Sequence, residues 1–144
     1  MNHIDTALQI AVKAHAGAID RDGNPYILHP LTVGLMGRSD EEKIAGFLHD
    51  VVEDTDWTFE DILAAGIPEE VVDALRLLTH DKKKMSYAEY IQRIIQSGNP
   101  VALAVKKNDL THNYSRGAAY PELQAKHGPA LELVTKALEE LRQC

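Results

Sequence analysis

Helix signals recur along the whole chain, and signals for β-strands are missing. Apolar residues stand three or four positions apart in successive segments, the spacing that places them on one face of a helix. Ser39 with Glu42, and Ser86 with Glu89, have the capping-box pattern that starts a helix. No run alternates apolar and polar residues, and no Asn-Gly pair joins two apolar segments. The sequence therefore predicts an all-α fold.

The expected helices are separated by short turns rich in glycine and proline. They cover residues 5–17, 30–36, 39–52, 59–65, 68–79, 86–97, 100–111 and 121–142. The segment over 39–52 is expected to be one continuous helix, and the last segment to be broken or bent near Gly128 and Pro129. With 144 residues and no internal repeat, the chain is expected to form a single domain, 1–144.

Charge and composition exclude several classes of partner. The formal net charge is −7 and the isoelectric point about 5.4, so a nucleic-acid-binding surface is not expected. No apolar stretch is long enough to span a membrane, and the N-terminus lacks the pattern of a signal peptide. The single cysteine, Cys144, permits no disulfide within the chain. We expect a cytoplasmic protein without nucleic-acid or membrane partners.

The stretch 47–55 combines apolar residues with four side chains that can bind a metal or transfer protons. On a continuous helix His49 lies above Glu53, and Asp50 lies above Asp54. Clustered carboxylates next to a core are costly to desolvate, and a bound cation offsets that cost. An acidic helix end is nevertheless more often a solvated surface than a site. The stretch therefore needs support from other segments.

Two other helical segments supply metal-compatible side chains. His29 stands at the start of one, and Asp109 near the end of another. With His49 and Asp50 they make a set of two imidazoles and two carboxylates without a thiolate, which suits Mn²⁺ or Fe²⁺ better than a structural zinc ion. Four protein ligands on an octahedral ion would leave two positions for water and substrate. Spacing alone does not establish that these side chains meet.

Four blocks of the sequence resemble the motifs of one known family, in the same order and at similar spacing. They are Ala14-His15-Ala16-Gly17, Gly23-Asn24-Pro25-Tyr26-Ile27-Leu28-His29-Pro30, Leu48-His49-Asp50-Val51-Val52-Glu53-Asp54-Thr55 and Val105-Lys106-Lys107-Asn108-Asp109-Leu110-Thr111-His112-Asn113. Together they are similar to the HD-domain hydrolases of the RelA/SpoT type, and in size to the stand-alone small alarmone hydrolases. The resemblance covers roughly residues 5–116, and a C-terminal helical region over 121–142 follows.

The resemblance implies an all-helical HD domain that binds Mn²⁺ or another divalent transition metal. Its metal ligands would be His29, His49, Asp50 and Asp109. It further implies that Glu53 and Asp54 are the catalytic pair. The substrate would be a phosphorylated nucleotide, foremost guanosine 3′,5′-bis(diphosphate), from which the 3′-pyrophosphate is released. In this reading Glu53 acts as general base, and Asp54 binds water or the leaving-group proton.

Residues outside this set have weaker assignments. Four are candidate substrate contacts, with packing or solvation as the alternative: Arg21, Tyr26, Lys106 and Asn113. His15 and His112 are expected behind the ligands or in the core. His80 and His127 are expected at the surface, and the lysines at 82–84 are expected to be solvated.

Two positions depart from the family pattern on the substrate side. Asp20-Arg21 stands where alarmone hydrolases commonly carry two basic residues, and a carboxylate at Asp20 would repel polyphosphate unless it is paired or turned away. Tyr114-Ser115-Arg116-Gly117 also departs from the usual sequence. Two alternatives therefore stay open: hydrolysis of another nucleotide or phosphorylated cofactor, and a non-catalytic module that binds a nucleotide in the presence of metal.

Overall fold

The computed structural model describes residues 2–117 and 120–143, so Cys144 lies outside the described residues. Nine helices occupy this part of the chain, and its one extended pairing is an isolated bridge between Ile19 and Pro25. The all-α prediction is confirmed. The helices are α1 His3–Ala14, α2 Leu28–Leu35, α3 Asp40–Leu48, α4 Val51–Asp54, α5 Phe59–Ala64, α6 Glu69–Leu78, α7 Tyr87–Ser97, α8 Pro100–Arg116 and α9 Pro121–Gln143.

The prediction of a single continuous helix over 39–52 is wrong. The chain leaves helical hydrogen bonding at His49 and Asp50, and the short helix α4 follows. The cause is local, because Nδ1 of His49 lies 2.6 Å from the carbonyl oxygen of Gly46. That carbonyl would accept the N–H of Asp50 in an uninterrupted helix, and the imidazole takes its place. After the interruption the His49 side chain contacts His29 of α2 and Asp109 of α8, and Oδ2 of Asp50 lies 3.8 Å from Nε2 of His29.

The two last helices also differ from expectation. Helix α8 continues to Arg116, past the expected end at residue 111. Helix α9 is one uninterrupted helix that contains Pro129, so the predicted break is not observed. Pro129 has no N–H, but α9 buries Ala130, Val134 and Leu138 against the rest of the protein, and this packing favours the helix over a break.

A close crossing of α2 and α3 fixes the relative position of the two histidine-bearing segments. A Cβ atom added to Gly46 would lie 2.7 Å from the Cα of Gly34, so the helices approach as closely as glycine allows. Phe47 packs over Gly34 on the same crossing. As a result, His29 at the start of α2 and His49 at the end of α3 lie close together, with their ring centroids 5.2 Å apart.

Helix α8 packs against both α2 and α3, and its Asp109 reaches the place where His29 and His49 meet. Its buried residues include Leu103, Val105 and Leu110, together with the charged residues Lys106 and Asp109. No helix within residues 2–117 and 120–143 has both the length and the apolar character needed to cross a membrane.

Candidate metal centre

The imidazoles of His29 and His49 and the carboxylate of Asp50 converge at the inner ends of α2 and α3. One ligand atom from each lies within 4.8 Å of the other two. Asp109, from the middle of α8, completes the group: its Oδ1 lies 2.8 Å from Nε2 of His29 and 3.2 Å from Nε2 of His49. The structure thus brings together four side chains that are up to 80 residues apart along the chain.

Burial makes this cluster unusual. The exposed fractions are 2% for His29, 4% for His49 and 5% for Asp109, whereas charged groups are rarely buried without a partner. Nε2 of His49 also lies 3.2 Å from Oδ2 of Asp50. Two imidazole nitrogens and two carboxylates at these distances are a donor set that fits a divalent transition metal.

Each member of the cluster contacts a further group that fixes its orientation. The hydroxyl of Tyr26 donates to Oδ2 of Asp50 at 2.5 Å. Nδ1 of His49 contacts the Gly46 carbonyl oxygen, which leaves Nε2 facing the cluster. Such partners set the tautomer and the angle of a metal-binding side chain. Tyr26, a candidate substrate contact, therefore lies against Asp50.

Asp109 has the most partners. Nζ of Lys106 donates to its Oδ2 at 2.8 Å, and Nδ2 of Asn113 donates to its Oδ1 at 3.1 Å. Lys106 is 8% exposed and lies over the ring of Tyr90, 4.9 Å from its centroid. Lys106 and Asn113 were candidate substrate contacts from the sequence. Both line the cavity described below, and both are hydrogen bonded to Asp109.

The charges of the cluster shift each other's ionisation. Burial alone would lower the pKa of His49, but the carboxylates of Asp50 and Asp109 raise it well above 6.5. Burial alone would raise the pKa of Asp50, but His49 lowers it to about 2. For Asp109, Lys106 and His49 outweigh burial and hold its pKa well below 3.8. Without a metal, the imidazolium of His49 and the ammonium of Lys106 therefore compensate the carboxylates of Asp50 and Asp109.

The cluster forms one wall of a cavity of about 230 Å³. Glu53 and Asp54, on α4, line the same cavity, and Oε1 of Glu53 accepts the backbone N–H of His80 at 2.7 Å. Partial burial and the charges of Asp50 and Glu53 raise the pKa of Asp54 to about 6. The two acidic residues therefore face the space beside the candidate metal ligands. Glu53 is held by a hydrogen bond, and Asp54 can exchange a proton near pH 6.

Another wall of the cavity consists of residues that the sequence did not single out. Tyr87, Tyr90, Lys126 and His127 line the cavity, and Nζ of Lys126 lies 4.5 Å from the ring centroid of Tyr87. The surface positions expected for His80 and His127 are wrong, since both histidines are partly buried at this wall. His80 stacks on Tyr90.

Arg21 lies outside this cavity, in an adjoining one of about 280 Å³. The two cavities share Tyr26, Asn113 and His127. The guanidinium of Arg21 pairs with Glu122 at 3.2 Å and lies over the ring of Tyr120. Asp20 lines the same adjoining cavity.

The carboxylate of Asp20 is compensated. Its Oδ1 accepts the backbone N–H groups of Asp22 and Asn24, each at 2.9 Å, and Oδ2 lies 3.6 Å from the guanidinium of Arg116. Arg116 belongs to the stretch that departs from the family sequence, so the two departures contact each other. Their charges cancel at this point, and the repulsion expected from Asp20 is reduced.

Comparison with known proteins finds similarity to GTP pyrophosphokinases and to a guanosine-3′,5′-bis(diphosphate) 3′-pyrophosphohydrolase. No family model matches the sequence. The chain is 32% identical over 124 residues to a GTP pyrophosphokinase of Streptomyces coelicolor, covering 78% of this chain and 14% of that protein. It is 31% identical over 118 residues to the guanosine-3′,5′-bis(diphosphate) 3′-pyrophosphohydrolase of Aquifex aeolicus, covering 76% of this chain and 17% of that protein.

Two further likenesses agree. The bifunctional (p)ppGpp synthase/hydrolase SpoT of Escherichia coli is 33% identical over 118 residues, covering 74% of this chain and 17% of that protein. A solved structure reported under the words "a metazoan ortholog of SpoT hydrolyzes ppGpp" has a TM-score of 0.65 at 24% identity, covering 99% of this chain and 96% of that one. The chain spans less than a fifth of the length of the curated relatives it matches.

An all-α bundle in which a His-Asp pair meets a second histidine and a distant aspartate is an HD domain. This chain is an HD domain of the RelA/SpoT type, as the resemblance of its motifs indicated.

Proposed function

We propose that the chain is a metal-dependent guanosine 3′,5′-bis(diphosphate) 3′-pyrophosphohydrolase. In this reaction water adds to the 3′-phosphoryl group, the bond between phosphorus and the ribose 3′-oxygen breaks, and GDP and pyrophosphate leave. One observation carries the proposal: the His29, His49, Asp50 and Asp109 cluster shares a cavity with two further carboxylates. The name of the Aquifex aeolicus relative supports the choice of substrate.

His29, His49, Asp50 and Asp109 would hold the metal, for which Mn²⁺ is our first choice. Imidazole with carboxylate suits this ion, and no thiolate lies among the described residues that line the cavity. When bound, the metal supplies Lewis acidity toward phosphoryl oxygen and activates water. Tyr26 and the Gly46 carbonyl keep Asp50 and His49 turned toward it.

Glu53 and Asp54 are the proposed proton-transfer pair. The N–H of His80 fixes the carboxylate of Glu53, which then orients and deprotonates the attacking water. Asp54, with its raised pKa of about 6, returns a proton to the departing 3′-oxygen. Proton transfer of this kind is most effective when the pKa of the group lies near the working pH.

Substrate contacts follow from the two adjoining cavities. We assign Tyr26 and Asn113 to their shared wall and Arg21 to the outer cavity, where it can contact phosphate once separated from Glu122. Lys106 lines the inner cavity, but its ammonium is bonded to Asp109. We therefore assign Lys106 to that carboxylate rather than to a phosphate. We place the activity in the cytoplasm, with a small phosphorylated nucleotide as the partner and neither nucleic acid nor membrane.

The test is turnover by the purified chain with Mn²⁺. Guanosine 3′,5′-bis(diphosphate), GTP, GDP and a set of phosphorylated cofactors would be compared, with nucleotide products separated by ion-exchange chromatography and pyrophosphate measured separately. We expect GDP and pyrophosphate in equal amounts from the alarmone and none from the Asp109→Asn variant. Faster turnover of another compound would replace the substrate. Metal-dependent binding without turnover would identify a binding module.

A further inference from the structure

His112 contacts the one ring nitrogen of His29 that faces away from the cluster. The two Nδ1 atoms lie 2.7 Å apart, with the rings nearly parallel at 10°. Nε2 of the same His29 ring lies 2.8 Å from Oδ1 of Asp109. Both nitrogens of His29 therefore face side chains of α8, which supplies Asp109 and, one turn later, His112. In the metal-free protein the contact with the Asp109 carboxylate needs a proton on Nε2 of His29, and a bound metal would take the place of that proton.

Two nitrogens at this distance form a hydrogen bond only if one carries a proton and the other a lone pair. If His112 donates, Nδ1 of His29 is the acceptor, and the proton of a neutral His29 must sit on Nε2. An Nε2 with a proton has no lone pair for a metal. If His29 donates, its Nε2 is free to coordinate.

We propose that His112 is a positioning residue that accepts the Nδ1 proton of His29 and so reserves Nε2 of His29 for the metal. This inference rests on the metal centre proposed above. For this role His112 keeps its own proton on Nε2 and presents the Nδ1 lone pair. A carbonyl or carboxylate is the usual acceptor behind a metal-binding histidine, and here a second imidazole fills that place.

Two substitutions separate this role from simple packing. In His112→Asn, the amide Oδ1 occupies the position of the imidazole Nδ1 and can accept the same proton, whereas His112→Leu fills similar space without an acceptor. We expect His112→Leu to weaken Mn²⁺ binding by about 10- to 100-fold and His112→Asn to restore most of it. Isothermal titration of each metal-free protein with Mn²⁺, without nucleotide, gives these affinities. His3→Leu, at an exposed histidine, is the control.

The tautomer itself can be read by NMR. In ¹⁵N-labelled protein loaded with diamagnetic Zn²⁺, wild type and His112→Asn should show a slowly exchanging proton on Nδ1 of His29, and His112→Leu should lose it. Unchanged Mn²⁺ affinity in His112→Leu would overturn the inference, as would an equal loss in His112→Asn. A wild-type protein that binds Mn²⁺ but hydrolyses no nucleotide would refute the proposed reaction alone. A wild-type protein that binds no divalent metal would refute the metal centre as well.

Discussion

The ammonium of Lys106 donates to Oδ2 of Asp109 at 2.8 Å, one helical turn apart on α8, and both side chains are buried. The pairing raises the pKa of Lys106 well above 10.5, although burial alone would lower it. Asp109 can then face two imidazoles through its other oxygen, Oδ1. The ion pair and the candidate metal centre are thus one electrostatic unit.

The substitution Lys106→Met removes the cation and leaves Asp109 buried with fewer partners. Breaking a buried pair from one side costs about 3–5 kcal/mol, so we expect a loss of that order in the unfolding free energy of the metal-free protein. Urea denaturation with a chelator present measures it. Saturating Mn²⁺ should recover part of the loss, because a cation then faces Asp109 again.

Lys107→Met is the matched control for that experiment. Lys107 is the next residue on the same helix and is only partly buried, and no ion pair is found for it among the described residues. Its substitution should change the unfolding free energy by less than about 1 kcal/mol. Equal stability of Lys106→Met and wild type under chelation would contradict the view that the ion pair supports the fold.

The glycine crossing of α2 and α3 gives a second prediction. Alanine is favoured over glycine in a helix by about 1 kcal/mol, but in Gly46→Ala the new methyl group would lie 2.7 Å from the Cα of Gly34. Backbone cannot move aside as a side chain does, and overpacking costs about 1–3 kcal/mol or more. We expect a net loss of stability, and weaker Mn²⁺ binding because His29 and His49 move apart.

Gly117→Ala is the comparison for the crossing. Among the described residues, the nearest contact of its Cβ would be the Cβ of Leu123 at 3.4 Å, an ordinary distance. Thermal unfolding of both variants, followed by titration with Mn²⁺, separates the crossing from a general effect of alanine. Wild-type stability and affinity in Gly46→Ala would show that the helices can separate without moving the histidines.

Local sequence signals explain where many helices begin. Ser39, Thr58 and Ser86 each accept a backbone N–H of the first turn, as their residue types and spacing indicate. The meeting of His29 with Asp109 is a different matter. The spacing of these two residues along the chain does not predict that they meet. That prediction came from the resemblance of whole motifs to those of a known family. The roles of these residues as ligands stay a prediction.

Two features were not predicted from the sequence, because one depends on competition for a backbone hydrogen bond and the other on packing between distant helices. The interruption after α3 arises because one imidazole competes with a backbone N–H for the Gly46 carbonyl, and helical periodicity does not register such a contact. Lys126 and His127 reach the cavity only because α9 packs across α7 and α8. The one available signal was the spacing of Tyr87 and Tyr90, which puts both rings on the same face of α7.

The proposed role of Glu53 as general base can be tested apart from metal binding. In Glu53→Gln the amide oxygen can still accept the N–H of His80, so the local structure should persist. We expect an Mn²⁺ affinity within about threefold of wild type and a fall in kcat of about 10²- to 10⁴-fold. Glu60→Gln, at an exposed position on α5, should leave both quantities unchanged. Full activity in Glu53→Gln would remove Glu53 from the mechanism.

The ionisation of the cluster predicts how the stability of the metal-free protein depends on pH. The pKa of His49 is raised on folding, so its contribution is complete below pH 6.5 and is lost as pH rises through the folded pKa. The pKa values of Asp50 and Asp109 are lowered, so their contributions are complete above pH 3.8 and are lost as pH falls toward 2. The summed contribution of these three residues is therefore flat between those limits and declines on both sides. Urea denaturation of wild type at each pH, compared with the Asp109→Asn variant, measures the Asp109 part of it apart from groups such as Asp54, which titrates near pH 6.

The protonation of His49 that stabilises the metal-free protein should oppose metal binding. A metal requires neutral His49, so binding must release the proton that Asp50 and Asp109 stabilise in the metal-free protein. Mn²⁺ affinity should therefore rise with pH, by up to about tenfold per unit while His49 remains protonated. Isothermal titration in two buffers with different ionisation enthalpies should show a buffer-dependent heat equal to the protons released. If the Mn²⁺ affinity did not change between pH 6 and pH 8, and no buffer-dependent heat were seen, His49 would not bind the metal.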